Sequence, residues 1–138
     1  MSPRKNTSPR STAARPHPPA RPQSVLIVDQ SADTREVLRA ALERGGTLIF
    51  DTDRADVGLE MARRHHPDLI VLDLEAMPTD SAVAGGFGES AQASNTPIVV
   101  LGSARAQARC VPTGEFVSKP YHYAPLIRRI EELLGASA

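Results

Sequence analysis

Three charged side chains stand where apolar stretches end: Asp29 closes "SVLIVD", Asp73 closes "DLIVLD" and Lys119 follows "EFVS". Gly102 and Ser103 end a fourth such stretch, "PIVVLGS". Two carboxylates gathered in one crevice repel each other and are costly to desolvate, so they require a counter-charge. Lys119 can supply one and a hard divalent cation another. Mg²⁺ suits the set, because it binds through one or two carboxylates, keeps several waters and completes its octahedron with phosphate oxygens. A lysine in the same crevice can neutralise a phosphoryl group as a point charge.

The fold must bring those stretch ends together, and the hydropathy pattern says how. Ser24 to Gln30 is a continuous β-branched run, as expected of a central parallel strand buried on both faces. Ser31 is a fitting N-cap for a helix carrying Val37, Leu38, Ala41 and Leu42 at helical spacing, with Gly45 and Gly46 as its stop. "TLIF" (47–50) predicts a second strand, and Val57, Leu59, Met61 and Ala62 mark a second helix that ends before Pro67. "DLIVLD", "PIVVLG" and "EFVSKP" predict three further strands. "TDSAVAGGFGESAQASN" is compatible with a weak helix or a loop, and residues 103–114 with one or two turns at most. Leu126, Ile127, Ile130, Leu133 and Leu134 line one face of a closing helix. Strands alternating with helices imply an α/β domain with a parallel sheet covered on both faces. Its ligand crevice lies beyond the carboxyl ends of the strands, at the topological switch point.

Taken together, "VLIVDQSADTREVL", "PDLIVLD", "TPIVVLGSA" and "FVSKPY" resemble the receiver domain of two-component response regulators, over about residues 24–135. The resemblance implies a doubly wound, flavodoxin-like sheet of order 2-1-3-4-5. It implies a signalling module rather than an enzyme. Asp73 would be the phosphoacceptor, Asp29 a metal-site acid, Lys119 the partner of the phosphoryl group, and the Lys119–Pro120 bond cis. Ser103, by spacing from Asp73, would stand in for the hydroxyl residue that senses the phosphoryl group, although counted along the strand Gly102 takes that place. Phe116 occupies the position of the aromatic switch. Mg²⁺ is the implied cofactor, and a histidine kinase or phosphotransfer protein the implied donor. The output partner is not legible.

Four positions depart from the family pattern. The acid pair after the first strand is Asp29-Gln30, and the neutral amide of Gln30 stands where typical members have a direct metal ligand, so Mg²⁺ affinity should fall. Met77-Pro78 follows Asp73 one residue late, which alters the loop offering the Glu75 carbonyl to a metal; the Glu75 carboxylate is a partial substitute for the lost acid. Gly102 precedes Ser103 where a hydroxyl residue usually stands. Fifteen residues between Ser103 and Lys119 leave room only for a truncated fourth helix. Gln30 and the short fourth helix favour an alternative, a pseudo-receiver that binds proteins without taking phosphate. A nucleotide- or flavin-binding enzyme is disfavoured, because no glycine-rich turn follows "SVLIVD".

Composition sets outer bounds. A chain of 138 residues, 41% hydrophobic, supports one core. Residues 1–23 carry Arg4, Lys5, Arg10, Arg15 and Arg21 and no acid, leaving eleven cations against sixteen acids in the rest. Half of the twelve prolines also fall in this stretch, and no aliphatic residue larger than Ala follows Met1, so it is expected to be a disordered linker. The balanced overall charge argues against a nucleic-acid partner. No secretory signal or membrane span is legible, and a single cysteine, Cys110, fits a reducing compartment, so the expected location is cytoplasmic. The expected arrangement is a stand-alone receiver domain after the basic tail.

Overall fold

The computed structural model describes residues 22–77, 82–109 and 114–137. The basic tail up to Arg21, Pro78 and Cys110 lie outside the described residues. The elements are β1 (Ser24–Val28), α1 (Ala32–Arg44), β2 (Leu48–Thr52), α2 (Ala55–His65), β3 (Leu69–Asp73), α3 (Ala82–Ser94), β4 (Ile98–Gly102), β5 (Gly114–Ser118) and α4 (Tyr123–Ser137). All four strand pairings are parallel and the order is β2-β1-β3-β4-β5. Order, class and strand direction are those expected from the sequence.

Successive strand residues face opposite sides of the sheet, which explains why β1, β3 and β4 are apolar without a break. Leu26, Val28, Ile70, Leu72 and Val100 pack with α2 and α3 on one side. Val25, Ile27, Val71, Val99 and Leu101 pack with α1 and α4 on the other. Each such side chain fully withdrawn from water contributes roughly 1.5–3 kcal/mol before entropy is subtracted.

The helix boundaries have local causes. The hydroxyl of Ser31 accepts from the Thr34 amide and caps α1. Gly46, at φ 91°, takes the left-handed turn after α1 that a β-carbon would oppose. The middle segment, open between helix and loop in the sequence, forms α3. Its tertiary contacts decide the matter: Phe87 and Ala91 are buried, and a β-carbon at Gly86 would stand 2.6 Å from Leu59 Cδ2 of α2. Between β4 and β5 the described residues hold only a 3-10 segment, Ala104–Arg109, as the truncated fourth helix required. No helix among the described residues is long and apolar enough to cross a membrane.

Candidate functional site

Register places the charged residues. Val28 pairs with Leu72, so Asp29 stands abreast of Asp73 at the carboxyl edge. Asp73 pairs with Leu101, and Leu101 with Val117, which sets Lys119 just past the same edge on the other flank. The Lys119 amide donates to the Gly102 carbonyl at 2.8 Å, holding the following cis Lys119–Pro120 peptide against β4.

The side chains converge on an open cleft of about 720 Å³ whose lining includes Asp29, Gln30, Asp73, Glu75 and Lys119. Asp29 and Asp73 are each 2% exposed. Asp73 Oδ1 accepts from Lys119 Nζ at 2.9 Å and from the Glu75 amide at 3.1 Å. Lys119 Nζ also donates to Glu75 Oε1 at 3.1 Å. Asp29 Oδ1 accepts from the Ser31 amide at 2.8 Å, and its carbonyl accepts from Arg35 Nη1 at 2.6 Å.

Burial pushes the Asp29 carboxyl up to about 6, with the neighbouring Asp73 adding to the rise, against the pull of the Ser31 amide and of Lys119. Burial alone would lower the Lys119 ammonium. The hydrogen bonds and charges of Asp73 and Glu75 outweigh it, so Lys119 ends above its ordinary value and stays charged.

Five of the expected site residues are thus brought together: Asp29, Gln30, Asp73, Glu75 and Lys119. Ser103 is not among the residues lining this cleft. It follows β4, and its carbonyl accepts the Ala106 amide at 2.9 Å. Gly102 holds the strand position, and it is hemmed in: a β-carbon there would meet Leu74 Cδ1 at 3.3 Å and both Ala106 Cβ and Phe116 Cε1 at 3.4 Å. Phe116 is half-buried and packs against the α2/α3 core below the cleft.

The oxygen donors fit a hard dication through two carboxylates, with no third acid. The Glu75 carboxylate is paired with Lys119, and among the described residues no three acidic, His or Cys side chains form a metal-ligand group. Three further lining residues, Thr34, Tyr121 and Tyr123, were not singled out from the sequence. Tyr121 was within reach, since it directly follows Lys119-Pro120. Thr34 and Tyr123 carry no local signal and meet only through the packing of α1 on α4, where Thr34 Oγ1 and Tyr123 Oη share a 3.1 Å hydrogen bond.

No protein-family model matches the chain. The KDP operon transcriptional regulatory protein KdpE of Escherichia coli is 32% identical over 117 residues, covering 80% of this chain and 51% of that protein. The chain spans about half the length of the curated transcriptional regulators it matches. The receiver domain of a Francisella response regulator superposes with TM-score 0.67 at 20% identity, over 84% of this chain and 99% of that one. The chain has the receiver-domain fold of response regulators. A receiver-modulated diguanylate cyclase of Pelobacter carbinolicus agrees, with TM-score 0.66 at 25% identity over 83% of this chain and 94% of the other. The likeness covers about half of each of these curated regulators and nearly all of each of these two solved structures.

Proposed function

We propose that this receiver domain accepts a phosphoryl group on Asp73 from a phosphohistidine of a histidine kinase or phosphotransfer protein, and signals by binding a partner protein in the phosphorylated form. The observation that carries this is the Lys119–Asp73 contact at 2.9 Å beside a second buried carboxylate, Asp29. Phosphoryl transfer needs little covalent chemistry from the protein beyond positioning and charge neutralisation. Two donors hold Asp73 Oδ1 and so direct attack through the other oxygen. Lys119 is free to follow negative charge from the carboxylate to the transferring oxygens. Asp29 and Asp73, with the Gln30 side-chain oxygen and the Glu75 carbonyl at the rim, would hold an Mg²⁺, whose charge would add to the neutralisation of those oxygens. In this account the folded receiver runs from residue 24 to 135, the basic tail is a linker, and the lone cysteine agrees with a cytoplasmic setting.

Intact-mass analysis after incubation with acetyl phosphate, with and without Mg²⁺, tests the acceptor role. A Mg²⁺-dependent, base-labile phosphoryl adduct absent from Asp73→Asn is the expected result. The neutral, exposed Gln30 favours a second reading, a phosphorylation-independent interaction module. The lack of any adduct under conditions that label an ordinary receiver would select it.

A further inference from the structure

The geometry points to Tyr121 and Tyr123 as a platform for the flat heteroaromatic leaving group of the phosphoryl donor, making the cleft selective for N-phosphorylated imidazoles over acyl phosphates. The inference rests on Asp73 being the acceptor. Both rings line the cleft that holds Asp73 and Lys119. Tyr123 is 36% exposed, among the few large apolar side chains on the described surface. An exposed ring at the mouth of a charged cleft contributes little to the core, yet this one is held in place. Its hydroxyl is tied to Thr34, which is only 7% exposed. Its ring meets Tyr121 edge to face, with centroids 5.9 Å apart and planes at 80°. Ring orientation is therefore set before any ligand arrives, which removes much of the ordering entropy that binding would otherwise incur.

An imidazole leaving group matches that platform in two ways. It is planar and aromatic, so it can contact a tyrosine face or edge. It becomes cationic on protonation, which an aromatic face also favours. Acetate, the leaving group of acetyl phosphate, offers a methyl and a carboxylate, and neither gains from the rings. In the step itself the P–N bond breaks as the bond from an Asp73 oxygen to phosphorus forms. The electron pair stays on the imidazole nitrogen, which takes a proton from solvent, and no redox change occurs.

The test compares phosphoimidazole with acetyl phosphate as donors, following the adduct on intact protein with time in the wild type, Tyr121→Leu, Tyr123→Leu and Tyr123→Phe. Using the ratio of the two rates within one preparation cancels any loss of folded protein. The ratio should favour phosphoimidazole in the wild type and fall about five-fold in the leucine variants, the equivalent of roughly 1 kcal/mol of aromatic contact. Tyr123→Phe, which keeps the ring and its contact with Tyr121 but loses the Thr34 bond, should fall between the wild type and Tyr123→Leu. An unchanged ratio in both leucine variants overturns the platform while leaving Asp73 as acceptor. No adduct from either donor in the wild type overturns the acceptor role and the platform together.

Discussion

Lys119 Nζ lies 2.9 Å from Asp73 Oδ1, a residue 46 positions away, and the same nitrogen lies 3.1 Å from Glu75 Oε1. One cation thus serves a buried acid and an exposed one. The Lys119 side chain is 27% exposed and that of Asp73 3% exposed, so the inner contact is poorly screened while the outer one is open to water. That asymmetry makes the outer pair the easier one to break when a phosphoryl group claims the lysine.

Replacing Lys119 by Met removes this counter-charge and leaves Asp73 beside Asp29 with no cation between them. The variant should lose about 1–2 kcal/mol of stability at neutral pH, between the worth of an exposed pair and the penalty for orphaning a buried one. Urea unfolding at pH 7.5 measures the loss. Labelling by acetyl phosphate should fall at least ten-fold, on the order expected when a positioned charge is lost.

Stability should also depend on pH through Asp29. Its carboxyl sits at about 6 in the folded chain against 3.8 ordinarily, so the folded state binds a proton that the unfolded state releases. The stabilising contribution is complete below 3.8 and is lost as pH rises through about 6. In the absence of divalent cations the urea midpoint should therefore rise on going from pH 7.5 to pH 5.5. Glu115 lies outside this window, because its bond to Arg129 holds it below 4.5. Asp29→Asn should be the more stable protein at pH 7.5 and flatten the profile. A wild-type midpoint that drops over the same interval would contradict the assignment.

Two helical glycines should respond to alanine in opposite directions. At Gly58 a β-carbon would come within 2.6 Å of Val28 Cγ2, a short branched side chain fixed in the fully buried β1. The helix-propensity gain of about 1 kcal/mol is outweighed there by overpacking of roughly 1–3 kcal/mol. Gly85 is exposed in α3 with nothing within 4 Å, so Gly85→Ala should gain about 0.5–1 kcal/mol. Thermal unfolding of the two variants beside the wild type resolves the difference.

Gln30→Asp adds a third acid to the rim and should tighten Mg²⁺ binding at least ten-fold, by the added charge attraction at partly exposed range. Isothermal titration with Mg²⁺, without any phosphodonor, reads this directly. Equal affinities would mean that position 30 does not face the ion.

Much of the site was legible because residues at strand ends inherit their position from the strand. A continuous apolar run implies a two-sided parallel strand, and the residue after it must then emerge at the carboxyl edge, as Asp29, Asp73 and Lys119 do. What lay outside local pattern was less legible. The helical state of residues 82–94 depended on Phe87 finding the core and on Gly86 lying close to Leu59, contacts between elements far apart in sequence. Spacing from Asp73 suggested Ser103, but the structure puts the hemmed-in Gly102 at the strand end.

By itself, then, the sequence determined the element order, the parallel sheet and the acids and lysine at its edge, because each follows from periodicity within a single segment. Only the tertiary structure decided that Lys119 divides its bonds between Asp73 and Glu75, that Phe116 lies against a bare glycine, and that Thr34 pins Tyr123 beside the cleft. Those are contacts between side chains of different elements, and their geometry exists only once α1, the β3 edge, β5 and α4 have packed.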